Sequence, residues 1–319
     1  MAIALGSDPG LTQLRPGSEH ALTPGPRDVP IVAALGGISA TQRVCDDGVT
    51  RGWWREIAGV GRALDPNHVR ILGWTYPTPA GRVLSTRDHA RLLVDVLDRL
   101  GIARLDALVG ASYGGMVGLA LAQEFPERLK TLVAISAAHC AHPLATAWRT
   151  IQRRIVRLGL EHGAGRDALV LARALAMTTY RSREEFAERF AGPPEWEETR
   201  ASIGRGRRSP SPIFPVERYL VSRGEDYASQ TVPERFLALS EALDLHCVEP
   251  EHIHVPAHFV AVRQDQLVPL EQMRELAARY GGPCRLHEID SLYGHDAFLK
   301  ESAQLGTILG DATRSDFHV

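Results

Sequence analysis

Three residues that lie far apart in this chain carry the side chains of a nucleophilic triad, in the order Ser112, Asp265 and His295. A serine hydroxyl is a weak nucleophile until an imidazole accepts its proton. The imidazole in turn needs a carboxylate that holds its tautomer and stabilises its charged form. Apolar, strand-like runs precede all three residues, so each is expected at the carboxyl end of a strand. The pattern predicts covalent catalysis at one edge of a parallel sheet.

The surroundings of Ser112 predict a sharp turn between a strand and a helix. Residues 105–109 form a short apolar run, residues 110–114 read G-x-S-x-G, and the helix-forming segment that follows stops at Pro126. Glycines two positions before and after the serine allow a tight backbone turn that exposes the hydroxyl. A glycine-rich turn with a surface serine has the same spelling, so the prediction depends on the partners Asp265 and His295.

Two further features complete the predicted chemistry. The loop after the apolar run 31–35 is glycine-rich, and we expect its amides, at Leu35 or Gly36, to form an oxyanion hole together with the amide of Tyr113. Asp290 is a rival for the acid of the triad. It ends the strand that precedes His295 in the same loop, so it cannot easily reach the far ring nitrogen, and Asp265 is preferred.

Histidines at 252, 254 and 258 raise the possibility of a metal site. No Cys, Asp or Glu with ligand spacing joins them, so the prediction is no metal and no cofactor. His139 and His142 are expected to be hydrogen-bonded structural residues. The arginine-rich segment 205–208 is expected to be a solvated loop rather than a nucleic-acid site.

The composition is that of an ordinary globular protein and excludes several classes. The chain has 319 residues, of which 44% are hydrophobic and 23% charged, with a formal net charge of -2. This balance gives no global field for nucleic acid or an anionic membrane. No apolar run is long enough to span a membrane, and the amino terminus lacks the layout of a secretory signal. The four cysteines are widely spaced, which favours a cytoplasmic location over a disulfide framework.

Strand and helix patterns alternate through residue 136, which predicts an α/β fold with a mostly parallel sheet and helices on both faces. From residue 143 the pattern is helical and highly charged. The prediction is a core formed by residues 1–142 and 249–319, with an inserted helical lid at 143–248. The first lid helix is expected to pack through one apolar stripe, made of Trp148, Ile151, Ile155 and Leu158, and to present cations on other faces, from Arg149, Arg153, Arg154 and Arg157.

Four segments resemble the homoserine O-acyltransferases of the α/β-hydrolase fold: residues 34–39, 110–116, 146–155 and 293–299. The resemblance covers most of residues 30–305 and is strongest to the branch that uses succinyl-CoA. It implies a ping-pong reaction in which the serine takes an acyl group from acyl-CoA and passes it to the hydroxyl of an amino acid. It also implies that Asp296 holds the substrate amino group and that two protomers pair through the lid helices.

One departure from the family pattern leaves the acceptor open between homoserine and serine. The arginine expected to meet the substrate carboxylate is replaced, in our alignment, by Gln230, and Arg223 or Arg235 could substitute. A hydrolase that releases the acyl group to water and a non-catalytic binding protein are the alternative functions. Because succinyl carries a distal carboxylate that acetyl lacks, a succinyl-specific site should contain an arginine, and Arg43 is the sequence-based candidate.

Overall fold

The computed structural model describes residues 19–24, 29–196 and 212–314. Its strands, in chain order, are β1 (His20–Leu22), β2 (Ile31–Leu35), β3 (Arg70–Trp74), β4 (Ala107–Ala111), β5 (Leu132–Ile135), β6 (Glu195–Trp196), β7 (Pro212–Ile213), β8 (Ala257–Val262) and β9 (Cys284–Ile289). Its helices are α1 (Thr86–Arg99), α2 (Tyr113–Glu124), α3 (Pro143–Glu161), α4 (Gly165–Tyr180), α5 (Arg183–Phe190), α6 (Pro215–Ala228), α7 (Pro233–Asp244), α8 (Leu270–Arg279) and α9 (Ser302–Arg314).

Seven strands form one sheet in the order β1-β3-β2-β4-β5-β8-β9, while β6 and β7 pair separately. Neighbouring strands of the large sheet are parallel, except that the edge strand β1 runs antiparallel to β3. Every residue of β4, β5 and β8 is buried, as their uninterrupted apolar runs require of strands covered on both faces. The predicted α/β fold with a mostly parallel sheet is therefore confirmed.

Helices cover both faces of the sheet and create two apolar cores. On one face α1 and α2 pack through residues such as Leu93, Leu97 and Val117. On the other face α9 and the segment before β3 pack through residues such as Trp54 and Leu309. The sheet is thus held rigidly from both sides, and its carboxyl edge is a fixed platform for the residues that follow β4, β8 and β9.

Helices α3 to α7 lie between β5 and β8 and possess an apolar cluster of their own, formed by Val156, Leu169, Ala172, Tyr227 and Phe236. The two ends of this insertion meet, because Cys140 and Cys247 pair in an isolated antiparallel bridge. We call the described part of this helical insertion, residues 143–196 and 212–248, the lid; its predicted bounds, 143–248, stay a prediction. The arginine-rich segment 205–208 lies outside the described residues.

Helix boundaries follow local capping chemistry. The N-cap of α1 is Ser85, one residue before the predicted Thr86, because Ser85 and Asp88 form a reciprocal capping box. His142 caps α3 by accepting a hydrogen bond from the amide of Leu144 at 3.2 Å, which confirms its structural interpretation. No helix in the described part of the chain is long and apolar enough to cross a bilayer.

The orientation of α3 differs from the prediction. Ile151 and Leu158, predicted on its packing stripe, have exposed fractions of 52% and 59%, whereas Gln152 and Arg153 are buried. The reason is the carboxylate of Asp244 at the end of α7, which draws the guanidinium of Arg153 inward at 2.5 Å. The prediction that Arg153 lies on an exposed cationic face was wrong.

Candidate active site

Ser112 occupies the turn between β4 and α2 in a backbone conformation that L-residues rarely adopt, with φ 52° and ψ -121°. The turn is forced by close packing, since a Cβ at Gly114 would lie 2.2 Å from the carbonyl oxygen of Leu35. Strain of this kind persists only where the surrounding structure imposes it. Ser112 makes no side-chain cap to α2, so its hydroxyl is directed elsewhere.

The structure brings the three predicted residues together. The Nε2 atom of His295 lies 2.8 Å from the hydroxyl of Ser112, and its Nδ1 atom lies 2.7 Å from Oδ2 of Asp265. Because a carboxylate accepts, Nδ1–H donates to Asp265 and leaves Nε2 free to accept the serine proton. This is the geometry of a charge-stabilised base acting on a hydroxyl.

Asp265 is held rigidly for this task. Its side chain is fully buried, and Oδ1 accepts hydrogen bonds from the amides of Leu267 at 2.8 Å and Val268 at 3.0 Å. The rival Asp290 has a side chain that is 75% exposed and lies near Arg263 and Gln264. The structure therefore places Asp265, and not Asp290, against the imidazole.

The electrostatics of His295 follow from its neighbours. Burial disfavours the imidazolium, but the charge of Asp265 and its hydrogen bond outweigh burial and raise the pKa of His295 above 6.5. A raised pKa makes the ring a better proton acceptor while it remains neutral.

Ser112 opens into a cavity of about 110 Å³ between the sheet edge and the lid. Its walls include Gly37 and His295 from the core, and Arg149, Gln152 and Arg173 from the lid. The lid thus supplies both of the arginines that line this cavity among the residues described.

The loop predicted to bind the oxyanion follows β2 and approaches Ser112, and donation by the amide of Leu35 or Gly36 stays a prediction. Neither Leu35 nor Gly36 lines the cavity, whereas a Cβ at Gly37 would lie 3.9 Å from that of Ser112. The reason is that the carbonyl of Gly36 is anchored from beneath, where it accepts from the hydroxyl of Tyr76 at 2.6 Å and the amide of Gly114 at 3.0 Å. The chain therefore presents Gly37 to the serine.

Tyr113, the other predicted oxyanion residue, is the first residue of α2. Its amide belongs to the first turn of the helix, which has no intrahelical acceptor. Its side chain points into the core, where the hydroxyl donates to Nδ1 of His89 at 2.7 Å while Nε2 of His89 donates to the carbonyl of Pro77. The aromatic ring thus anchors the turn, and the backbone amide remains beside Ser112.

Asp296 lines the cavity directly beyond His295. Burial raises its pKa, and the nearby charges of Arg181 and Arg173 oppose that rise without cancelling it. Nε of Arg181 lies 3.2 Å from Oδ2 of Asp296. A buried carboxylate of this kind favours a cationic ligand beside it.

Arg173 is a charged cavity residue that sequence reasoning missed. It lies in α4, with its guanidinium between two tyrosine rings, 4.9 Å from the centroid of Tyr180 and 4.7 Å from that of Tyr227. It donates to the hydroxyl of Tyr180 at 3.2 Å and forms no ion pair within 4.0 Å among the described residues. A single arginine in the otherwise apolar stretch 168–177 was the available signal, because such a charge requires a specific anion or a polar cavity.

The residues proposed to replace the missing carboxylate-binding arginine lie elsewhere. Gln230 and Arg223 line a neighbouring cleft that shares Arg173 and Asp296 with the Ser112 cavity, and Arg223 pairs there with Asp226 at 2.8 Å. Arg235 instead donates to the carbonyl of Tyr76 at 2.7 Å. None of the three lines the cavity that contains Ser112, and their role in binding the acceptor stays a prediction.

Arg43, the sequence-based candidate for acyl selectivity, does not line the cavity either. Its guanidinium pairs with Asp47 on an exposed loop, and its side chain is 48% exposed. The chain follows the cavity wall through Ile38 and Ser39 and leaves it before Arg43.

The histidine cluster is dispersed in the structure. His252 is exposed and pairs with Glu249 at 2.8 Å, while His258 lies in β8 against His287 of β9 at 3.0 Å. No group of three potential ligands is placed to hold a metal ion among the described residues. His139 is buried near Glu275 and Arg279.

Comparison with known proteins agrees with this fold and site. The family model described as the alpha/beta hydrolase fold matches residues 68–302. Among solved structures, homoserine O-acetyltransferase from Staphylococcus aureus superposes with a TM-score of 0.76 at 21% identity, over 94% of this chain and 90% of that chain. Esterase E22 superposes with a TM-score of 0.72 at 17% identity, over 90% of each chain. Fold and site together define an α/β-hydrolase.

Two curated relatives identify the family within the α/β-hydrolases to which this chain belongs. Homoserine O-succinyltransferase of Xanthomonas campestris pv. campestris is 41% identical over 296 residues, covering 91% of this chain and 77% of the relative. Homoserine O-acetyltransferase of Thermus thermophilus is 34% identical over 291 residues, covering 81% of this chain and 71% of the relative. The chain belongs to the homoserine O-acyltransferase family, as the four resembling segments predicted.

Proposed function

We propose that this protein transfers an acyl group, succinyl in preference to acetyl, from acyl-CoA to the side-chain hydroxyl of homoserine. The observation that carries the proposal is the cavity in which Ser112 and His295 meet Arg173 and Asp296, a cation and an anion that match the two charges of an α-amino acid. The preference for succinyl is supported by the higher identity to the succinyltransferase of Xanthomonas campestris.

In the first half-reaction, Nε2 of His295 accepts the proton of Ser112 while the serine oxygen attacks the thioester carbonyl. The amide of Tyr113 and an amide of the loop at Leu35, Gly36 and Gly37 donate to the oxyanion that forms. Collapse breaks the carbon–sulfur bond, and the imidazolium returns its proton to the departing CoA thiolate. Asp265 remains ionised throughout and stabilises the imidazolium.

In the second half-reaction, His295 accepts the proton of the acceptor hydroxyl, whose oxygen attacks the acyl-serine. Collapse breaks the ester bond to Ser112, and the imidazolium returns its proton to the serine oxygen. Arg173 holds the acceptor carboxylate and Asp296 its ammonium group, so that the hydroxyl is directed at the carbonyl carbon. Serine has the same two charged groups but one methylene fewer. With both groups fixed, its hydroxyl would stop short of the acyl carbon, which is why homoserine is preferred.

Transfer requires that water does not reach the acyl-serine before the acceptor does. The lid supplies much of the cavity wall, including Phe236 and Leu243, and so excludes solvent from the reacting centre. Esterase E22 has the same fold, so the fold itself does not separate transfer from hydrolysis.

We also propose that the protein forms a homodimer and is cytoplasmic. Leu144, Ile151 and Leu158 recur at seven-residue intervals on α3 with exposed fractions of 49%, 52% and 59%, and such a stripe supports a homodimer formed through the lids. The four cysteines are free thiols, which supports a cytoplasmic location.

The test is thiol release from succinyl-CoA and acetyl-CoA, each measured without acceptor, with homoserine and with serine. We expect rapid release with succinyl-CoA and homoserine, little release without acceptor, and an acyl adduct on Ser112 by mass spectrometry. Release that ignores every acceptor would indicate a hydrolase, and serine outperforming homoserine would change the assigned acceptor. The absence of any acyl adduct would leave a binding protein.

A further inference from the structure

Tyr76 lies beneath the loop that approaches Ser112, and it does not line the cavity itself. The residue follows β3, and its side chain is fully buried. Its hydroxyl donates to the carbonyl of Gly36 at 2.6 Å. Burial raises the pKa of Tyr76 far above its usual value, so the hydroxyl stays protonated and remains a donor.

The carbonyl of Gly36 is held by two donors from different elements. Besides the hydroxyl of Tyr76, it accepts from the amide of Gly114 at 3.0 Å. Gly114 lies in the first turn of α2, two residues after Ser112. Because a carbonyl oxygen has two lone pairs, both are occupied, and the carbonyl is fixed relative to the serine.

This arrangement also orients the amide of Gly37, because the C=O of Gly36 and the N–H of Gly37 belong to one planar peptide unit. The described part of the chain contains no cis peptide bond, so the two groups point in opposite directions. The carbonyl is turned toward the core, and the N–H therefore points away from it, on a residue that lines the cavity. A Cβ at Gly37 would lie 4.0 Å from the hydroxyl oxygen of Ser112.

The amide of Gly37 is available as a donor. It makes no hydrogen bond to any part of the chain that the structure describes. An amide held in a fixed direction beside the nucleophile, without an acceptor of its own, has the properties required of an oxyanion donor.

Tyr76 itself has little freedom to move. Its ring packs edge-on against that of Tyr113, with the centroids 4.8 Å apart, and against His89 at 5.6 Å. Its backbone carbonyl accepts from Nη1 of Arg235 at 2.7 Å. The hydroxyl is thus fixed through Tyr113 to α2 and through Arg235 to the lid.

We propose that Tyr76 is a positioning residue for acyl transfer, whose hydroxyl holds the peptide between Gly36 and Gly37 so that the N–H of Gly37 donates to the oxyanion. The inference rests on the first step of the proposed function, the attack of Ser112 on an acyl group. Without the hydroxyl, the amide of Gly114 alone holds the carbonyl, and the peptide is free to rotate. Because an oxyanion donor acts through its fixed direction, the rate falls while substrate binding does not change.

The experiment compares acylation of Ser112 by p-nitrophenyl acetate and by its thiono analogue, in which sulfur replaces the carbonyl oxygen. Sulfur accepts hydrogen bonds weakly, so oxyanion donors assist the thiono ester little, and wild-type protein should prefer the oxygen ester. In Tyr76→Phe the burst of p-nitrophenol from the oxygen ester should slow about 20-fold, less than the roughly 10²-fold or more expected for loss of a complete donor. The thiono ester should stay within about threefold of wild type.

Steady-state kinetics give a second readout. With succinyl-CoA and homoserine, Tyr76→Phe should lower kcat by a similar factor, because both half-reactions pass through an oxyanion at the same place. Both KM values should stay within about twofold of wild type, since the substrates make no contact with Tyr76.

Tyr280 provides the matched control. It is buried, and its hydroxyl donates to the backbone carbonyl of Val255 at 2.7 Å, outside the Ser112 cavity. Tyr280→Phe therefore removes a hydrogen bond of the same kind. Urea unfolding should show a comparable loss of stability in the two variants, whereas the ratio of the two ester rates should change in Tyr76→Phe alone.

The outcomes separate the inference from the proposed function. An unchanged ester ratio in Tyr76→Phe, equal losses with both esters, or the same kinetic loss in Tyr280→Phe would overturn the role of Tyr76. Wild-type protein with no preference for the oxygen ester would also overturn it. Wild-type protein that the oxygen ester acylates but that releases no thiol from acyl-CoA would instead remove the proposed function, and a lowered ester ratio in Tyr76→Phe would still support the inference.

Discussion

At the scale of single residues, the first prediction concerns the catalytic roles of Ser112 as nucleophile, His295 as base and Asp265 as its carboxylate partner. Ser112→Ala should abolish the acyl adduct, and His295→Ala should lower kcat about 10³-fold or more, because the hydroxyl then has no base. Asp265→Asn should be severe because it removes the acceptor for Nδ1–H. These rates are measured by thiol release, with adduct formation followed by mass spectrometry.

Asp290→Asn is the matched control for the acid. Its carboxylate is exposed and remote from His295, so its rate should equal that of wild type. A larger loss for Asp290→Asn than for Asp265→Asn would contradict the assignment.

The pH dependence of acylation follows from His295. The neutral ring is the active base, so the single-turnover rate should rise with pH through an inflection above 6.5, where its pKa has been raised. Asp265→Asn removes the carboxylate that opposes the effect of burial, so the inflection should move to lower pH. An inflection that Asp265→Asn leaves in place would assign the titration to another group.

Arg173 should affect binding of the acceptor, homoserine, and not the reaction with the acyl donor, succinyl-CoA. Arg173→Met should raise the KM for homoserine about 100-fold, because a charge-assisted pair with the carboxylate is lost. The rate of acyl-Ser112 formation from succinyl-CoA should remain close to that of wild type. A variant that fails equally in both half-reactions would show that Arg173 shapes the site instead of binding the acceptor.

At the scale of elements, α3 has two functional faces. Its inner face carries Arg149 and Gln152, and its outer face presents the exposed stripe that contains Ile151 and Leu158. Replacing both Ile151 and Leu158 by Glu should convert a dimer to a monomer in sedimentation experiments, because burying like charges across a two-fold interface is unfavourable. The same change at exposed Arg154 and Arg157 should leave the dimer intact, and a wild-type monomer would refute the interface.

The elements that the sequence predicted correctly are those whose patterns are local. β2 and β8 have the predicted bounds because their apolar runs are continuous and flanked by proline or polar residues. Ser112, Asp265 and His295 could be found because each follows a predicted strand, and parallel strands bring their carboxyl ends together.

The lid contacts could not be found in the same way, because they depend on which faces of α3, α4 and α7 meet. The periodicity of α3 suits burial of either face, and the ion pairs with Asp244 decide between them. Arg173 was missed for the same reason, since its role arises from packing between Tyr180 and Tyr227. Specificity residues on an inserted helical segment are thus less predictable than catalytic residues on a sheet.

At the scale of the whole molecule, two neutral histidines link folding to pH. His246 bridges the core and the lid, because Nε2 donates to the carbonyl of Ala138 at 3.0 Å and Nδ1 accepts from Thr86 at 2.9 Å. Burial lowers the pKa of His246 to about 3 and that of His89 to about 4. Both must stay neutral for these contacts to persist.

Protonation of these two histidines disfavours the folded state. Below about pH 6.5 the unfolded chain binds protons that the folded protein cannot, so stability is lost as pH falls, by about 2 kcal/mol for each histidine at about pH 5. His246→Gln should therefore flatten the dependence of unfolding free energy on pH, measured by urea denaturation. His68→Gln, at an exposed histidine, should leave the slope unchanged, and an equal slope for all three proteins would contradict the linkage.

The separate apolar cluster of the lid has an evolutionary consequence. The residues proposed for chemistry stand on the sheet, whereas Arg149, Gln152 and Arg173 stand on helices that pack around their own small core. The lid joins the rest of the chain where its two ends meet at Cys140 and Cys247. A chimaera that exchanges residues 143–248 between relatives should therefore transfer donor and acceptor specificity together. The catalytic residues would remain those of the recipient protein.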